Sequence, residues 1–293
     1  MTVKEAFGLD LGHPLIASVL LPLALAIVLT GVLRPIAVGR RSRRIAAGAV
    51  GLALIMAHGF TFGAPVWPAQ SGSEKLALLF VLLLVGGIVL DMFLAGRILT
   101  TAAACLAVLA VTLWLAWPQL MRWEPGLILP LTLVALLGLA CLAMLGKTPA
   151  DGTNRPATLV IAALALAGAS FNAGSLVLMQ VALALAAAIG GFALWNWPSA
   201  RMPFHLAGVA VGGIGCFALA LLLVLLTEIR PWALLPLPLV FAAGPVSGYL
   251  PVPQRLSRTS LEPVYIVLIG LVPMLATVVL AQPPVSTDDL YYR

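Results

Sequence analysis

Asp91 is the one carboxylate inside an apolar run of this chain, in the stretch VGGIVLDMFLAGR. A carboxylate in such a run is a candidate for a proton carrier, an acid catalyst or a cation site. Asp91 falls close to the end of its run, and Arg97 follows in the next short turn. We therefore predict a boundary ion pair between Asp91 and Arg97, with Arg34 or Arg40 as alternative partners for Asp91. The functional alternative is a cytoplasmic-mouth site that attracts a cation or an amine.

The other residues that could do chemistry are few and scattered. The histidines and cysteines, three of each, are His13, His58, His205, Cys105, Cys141 and Cys216. No two cysteines have the C-x-x-C spacing of a metal or redox site, and no G-x-S-x-G or H-E-x-x-H motif occurs. We predict no catalytic residue, no metal site and no cofactor, so the chain is not expected to be an enzyme.

A small set of residues could line a path for a solute. Polar side chains within apolar runs seek a partner helix or a ligand, and prolines within such runs remove backbone donors and free carbonyl groups. Interrupted helices at corresponding places in two halves are typical of a transporter's binding site. The candidates are Gln180, His58, Asn172, Pro130 and Pro236.

The elements that must position these residues are transmembrane helices. The chain of 293 residues is 62% hydrophobic and 9% charged, with a mean hydropathy of +1.12. A soluble domain carries about 25% charged residues, so this composition cannot cover a surface that faces water. The sequence predicts an all-α polytopic bundle within one integral membrane domain, 1–293, because the loops are too short for a soluble domain.

Ten apolar stretches of roughly the length that crosses a bilayer follow one another along the chain. They lie at 14–38, 45–63, 75–94, 98–117, 126–146, 157–171, 174–195, 204–227, 231–250 and 263–281. The sixth is short, and the polar break GASFNAGS follows it. Eight spans plus a re-entrant hairpin built from the sixth and seventh stretches is therefore the alternative to ten spans.

Lysine and arginine counts predict the orientation, because basic residues accumulate in cytoplasmic loops. With both termini outside, the cytoplasmic loops hold 11 of the 16 basic residues, including the cluster Arg40, Arg41, Arg43 and Arg44. Apolar runs flank this cluster on both sides, so we interpret it as a topology signal and predict no nucleic-acid partner. Short loops and Ala/Leu/Gly-rich spans are typical of a bacterial inner membrane.

An internal echo suggests a repeat. EPGLILPLTLV at 124–134 and RPWALLPLPLV at 230–240 share prolines and leucines at matching positions. The offset superimposes 45–146 on 157–250, as two parallel blocks of four helices each.

Two functions fit these features. The first is a small permease or exporter for a neutral or amphipathic solute, which is not driven by a carboxylate at the membrane midplane. The alternative is a non-catalytic subunit that anchors, assembles or scaffolds a larger membrane complex. The expected partners are the lipid bilayer together with other membrane subunits or further copies of the chain.

Overall fold

The protein is described by a computed structural model that covers residues 15–36, 46–63, 69, 71–93, 96–122, 125–150, 152–198, 201–250 and 258–282. Of these residues, 86% are helical and none lies in a strand. The predicted all-α class is confirmed.

Ten helices follow one another in the described part of the chain, and we number them α1 to α10. Their bounds are α1 Leu21–Ile36, α2 Gly48–Phe62, α3 Gly72–Phe93, α4 Arg97–Met121, α5 Ile128–Lys147, α6 Asn154–Asn172, α7 Leu176–Asn196, α8 Leu206–Leu226, α9 Leu237–Ser247 and α10 Arg258–Leu280. Short turns precede three of them: a π-helical turn, Ile16–Leu20, before α1, and 3-10 turns, Pro125–Leu127 and Pro231–Leu234, before α5 and α9.

The predicted apolar stretches coincide with these helices to within a few residues. Eight helical segments are long and apolar enough to cross a membrane, whereas Gly48–Phe62 and Pro231–Ser247 are apolar but shorter. A run of about 20 apolar residues spans the hydrocarbon core as a helix because the helix satisfies its own backbone hydrogen bonds. The protein is therefore an integral, multi-pass membrane protein, while the count of ten crossings stays a prediction.

The helix termini gather at two ends of the bundle. At one end, Asp91 near the end of α3 contacts the start of α8; at the other, Gly72 at the start of α3 lies beside Leu226 at the end of α8. We call these the Asp91 end and the His58 end, since α2 runs from the first to the second. In the orientation predicted from the basic residues, the Asp91 end is cytoplasmic.

Helix α6 lies along α10 over its whole length. Asn154 at the start of α6 bonds Glu262 in the first turns of α10, and Asn172 at the end of α6 bonds the carbonyl of Val278. The helix has 19 residues, so it is longer than the 15-residue stretch 157–171 read from the sequence. Its length favours a full crossing over the re-entrant hairpin.

Helix α8 is the centre of the bundle. In α8, 83% of the most apolar 18-residue window is buried, against 22% in α4 and in α10. A helix that is apolar on every face is stable only when other helices surround it or lipid covers it. The core side chains are therefore concentrated on α8 and on α6 and α7, while the outer faces of α4 and α10 carry exposed leucines.

The prolines that we singled out do not kink the interior of a span, which corrects our expectation. Pro130 lies in the first turn of α5, and Pro236 directly precedes α9. The first turn of a helix has no partner for its backbone N–H groups, so a proline there costs no hydrogen bond. Within the described helices, the interior prolines are Pro118, Pro245, Pro263 and Pro273.

The two echoing stretches begin neighbouring helices. Each stretch opens with a 3-10 turn that starts at its first matched proline, Pro125 or Pro231. Helices α5 and α9 pack against each other, with Thr148 after the end of α5 beside Gly244 near the end of α9. They therefore run in the same direction, as two parallel blocks require. The repeat of 45–146 in 157–250 stays a prediction.

Candidate functional site

The structure brings two of the predicted path residues, His58 and Gln180, into one cavity. His58 lies on α2 and Gln180 on α7, two helices separated by more than a hundred positions in the sequence. The cavity is small, with a volume of about 10 Å³ that has room for about one water molecule. Ser18 and Thr61 also line it. Four polar side chains from three segments thus face one space near the His58 end.

Contacts within α2 position two of these polar groups, His58 and Thr61. The His58 ring is buried and packs on Phe62, with the ring centroids 4.8 Å apart. Thr61 donates its hydroxyl to the carbonyl of Ala57 at 2.8 Å. Ser18 lies on the π-helical turn, a geometry that is rare and concentrated at functional sites. Leucine, valine and alanine side chains complete the lining. Imidazole and amide groups offer both donors and acceptors without a fixed charge.

The remaining path candidates lie outside this cavity. Asn172 donates its side-chain amide to the carbonyl of Val278 at 2.7 Å and so joins α6 to α10. Pro130 and Pro236 lie at the starts of α5 and α9 and line neither described cavity. The structure therefore gives Asn172 a role in helix packing.

Replacing Asn172 with Ala is expected to lower the free energy of unfolding by about 1 kcal/mol, the size of one hydrogen bond between membrane helices. The change is read from unfolding in detergent mixtures, followed by the fluorescence of the seven tryptophans. Any small molecule bound by the protein should remain at its wild-type amount. A loss of that molecule in the variant would place Asn172 on the solute path instead.

Asp91 has partners other than the one predicted. One carboxylate oxygen contacts His205 Nδ1 and accepts the backbone N–H of Leu206 at 3.1 Å, and the other accepts the N–H of Ala207 at 2.8 Å. The Asp91 side chain is 0% exposed, whereas that of His205 is 29% exposed. Asp91 thus joins α3 to the start of α8. The side chain of Arg97 lies outside the described residues, so the ion pair with Arg97 stays a prediction.

Glu262 precedes the apolar stretch predicted at 263–281, so the sequence placed it in a loop, and this prediction is wrong. Glu262 lies in the first turns of α10 and is buried, with Asn154 donating its side-chain amide to the carboxylate at 2.6 Å. The neighbouring Arg155 donates to the carbonyls of Thr148, at 3.1 Å, and Phe204, at 3.4 Å. The Asp91 end therefore holds a second buried carboxylate, tied to the start of α6.

A second cavity is almost wholly apolar. It lies between α5, α8 and α9, has a volume of about 20 Å³, and is lined in part by Cys141, Cys216 and Phe217. Both thiols are buried and free of disulfides. Among the residues that the structure describes, no three His, Cys, Asp or Glu side chains lie close enough together to hold a metal ion.

Two pairings were not predicted, the contact of Asp91 with His205 and the shared cavity of His58 and Gln180. The predicted depth of these residues along the membrane normal was nevertheless consistent with both. His205 was placed at the start of the eighth span and Asp91 near the end of the third, so orientation alone put both at one end. His58 and Gln180 likewise both fell toward the outer side. The missing information was which helices are neighbours. The basic cluster Arg40, Arg41, Arg43 and Arg44 lies outside the described residues, and its role in topology stays a prediction.

Comparisons with known proteins give no function for this chain, so a proposal has to rest on the side chains described above. No protein-family model matches the chain, and no match was found among curated proteins or solved structures.

Proposed function

We propose that the protein is a permease or exporter for a neutral or amphipathic solute, and that the cavity of His58 and Gln180 is its binding site. The observation that carries the proposal is the convergence of these two side chains, from separate helices, on one space inside an apolar bundle. Ligand pockets have this composition, with a mainly apolar lining and a few polar groups that set orientation.

The chemistry of the cavity favours an uncharged polar group on the solute. The groups that face the cavity are an imidazole, an amide and two hydroxyls, and none of its lining residues is Asp, Glu, Lys or Arg. Leu54, Val181 and Ala184 offer contacts to an apolar part of the same molecule. A highly charged solute would have to leave its hydration shell without an opposite charge, which is costly in a medium of low dielectric constant.

The proposed orientation places this cavity on the outer side of a bacterial inner membrane, with both termini outside. Its support is the excess of lysine and arginine in the loops at the Asp91 end.

The test is to purify the protein in native nanodiscs and to identify bound small molecules by mass spectrometry. Gln180→Met and His58→Phe remove the polar groups with little change in volume. They are expected to lower the amount of bound solute about tenfold, the effect of losing one buried hydrogen bond. Thr112→Val is the matched control because the Thr112 hydroxyl bonds Val108 of its own helix at 2.8 Å.

If all variants retained the solute equally, the cavity of His58 and Gln180 would not be its binding site. The alternative function, a subunit of a larger membrane complex, is supported by the exposed faces of α4 and α10, where 22% of the most apolar window is buried. The same purification distinguishes the subunit from the permease. A stoichiometric protein partner with no small molecule would replace the permease with the subunit.

A further inference from the structure

Asp91 and His205 form a pair of titratable groups that the proposed solute site does not use. The pair lies at the Asp91 end, between the last turn of α3 and the start of α8, and its carboxylate has three donors. The carboxylate is fully buried, while the imidazole is partly exposed. His205 is therefore the route by which a proton from water can reach a buried anion.

We propose that Asp91 and His205 are a proton-binding site, and that loss of the proton loosens the first turn of α8 from α3. In the protonated state an imidazolium donates Nδ1–H to the carboxylate, and the pair as a whole is neutral. The proton leaves from Nε2 to water at the exposed side of the ring. A neutral imidazole then donates to a carboxylate that keeps its charge in a buried position.

The two states differ in the strength of the contact that holds α8. In the protonated state the bond joins two opposite charges, whereas in the deprotonated state a neutral imidazole donates to the same anion and supplies no counter-charge. When the proton leaves, the buried carboxylate of Asp91 loses its counter-charge, and an ionic contact with His205 no longer holds the first turn of α8 against α3.

The charged surroundings of the pair are simple in the part of the chain that the structure describes. Arg155, from the start of α6, bonds the carbonyl of Phe204 next to His205, and Arg201 is exposed in the preceding loop. Between Gly48 and Leu54, α2 presents only apolar residues to α3 and α8. Arg155 disfavours a positive charge on His205, whereas Asp91 favours it. Asp91 is in direct contact with His205, so we take this contact as the stronger of the two influences.

The backbone of α8 is suited to this movement. Its first turn, Leu206–Val209, is followed by a π-helical segment, Ala210–Ile214, that contains Gly212 and Gly213. A π-helical segment interrupts the regular hydrogen-bond pattern and is a frequent site of bending. The first turn can therefore shift while Gly215–Leu226 keeps its packing in the core.

The test uses hydrogen–deuterium exchange of the full-length protein in nanodiscs between pH 5.5 and 8, expressed as protection factors so that the intrinsic effect of pH is removed. The amides of Leu206 and Ala207 report directly because they bond Asp91. Their protection is expected to be about tenfold higher at pH 5.5 than at pH 8. In His205→Asn, whose side-chain amide can still donate from near the Nδ1 position but does not titrate, protection should not change with pH.

The chain has three histidines, which makes the controls complete. His13→Asn and His58→Asn should keep the pH dependence of wild type. If His205→Asn does not fold, Asp91→Asn removes the negative charge at similar volume and should also give a flat profile. A flat profile in wild type, or a pH dependence that survives both Asp91→Asn and His205→Asn, would overturn the proposal.

Any coupling of this proton to transport rests on the proposed function. The proton site and the permease function can fail separately. A pH-dependent α8 turn in a protein that retains no small molecule would keep the proton site and remove the permease. A retained solute whose release in nanodiscs is the same at pH 5.5 and pH 8 would keep the permease and remove the coupling.

Discussion

Replacing Asp91 with Ala is expected to lower the free energy of unfolding by about 3 kcal/mol. The variant leaves the N–H groups of Leu206 and Ala207 and the ring of His205 without their acceptor. Losing one member of a buried, hydrogen-bonded set costs about 3–5 kcal/mol when the others stay buried. We take the lower end because His205 is partly exposed and can turn to water.

The size of this effect separates two interpretations of Asp91. An ion pair at a membrane boundary, as predicted with Arg97, contributes about 0–1 kcal/mol when its members face water. The buried contact with α8 predicts a loss several times larger. Unfolding with increasing sodium dodecyl sulfate in mixed micelles, followed by tryptophan fluorescence, measures the difference.

Two variants complete the Asp91 experiment. Asp91→Asn keeps one carbonyl acceptor for an α8 amide and should lose about half as much stability as Asp91→Ala. Glu228→Ala removes an exposed carboxylate and should change the free energy by less than about 0.5 kcal/mol. A loss below about 1 kcal/mol for Asp91→Ala would return the residue to a simple boundary role.

Helices were predictable from this sequence because lipid imposes one requirement on every span. A run long enough and apolar enough must form a helix, so the stretch predicted at 98–117 appears as Arg97–Met121. The error at Glu262 shows where this signal ends. The polar residues RTSLE before the apolar run looked like a loop, yet they form the first turns of α10. Asn154 compensates for the burial of Glu262, and it lies 108 positions away.

Side-chain partners were less predictable because hydropathy gives depth along the membrane normal and no information on neighbours. Depth alone put Asp91 and His205 at one end, but Arg97 was nearer in sequence and was preferred. The same limit applies to glycines. The sequence GFTFG at 59–63 has the G-x-x-x-G spacing that is typical of closely packed membrane helices. A Cβ at Gly59 or Gly63 would nevertheless meet no atom within 4 Å. Close approaches occur at other glycines, among them Gly87, which lies in a Gly-Gly pair without a motif.

The contact between α3 and α8 is expected to require a glycine at position 87 but to tolerate a larger residue in place of Gly86. A Cβ on Gly87 would lie 2.7 Å from the Cα of Ala207 and 3.2 Å from the carbonyl oxygen of Leu206. A Cβ on Gly86 would meet no atom within 4 Å. The two glycines are adjacent in the same helix, so substituting each in turn separates the packing effect from the change in helix propensity.

Gly87→Ala should lower the free energy of unfolding by about 2–3 kcal/mol, since the added methyl group must push backbone atoms of α8 apart from α3. Gly86→Ala should be neutral or slightly stabilising, by up to about 1 kcal/mol, because alanine has the higher helix propensity. The same unfolding experiment in mixed micelles compares them.

The consequence for function lies one turn further along α3. Displacing Ala207 also draws its N–H away from Asp91, so Gly87→Ala should reduce the protection of the Leu206 and Ala207 amides even at pH 5.5. Combining it with Asp91→Ala should then cost less than the two separate losses together, because both changes break one contact. If the two losses in free energy of unfolding were fully additive, Gly87 and Asp91 would hold α8 independently. The proton on His205 would then control only part of the contact between α3 and α8.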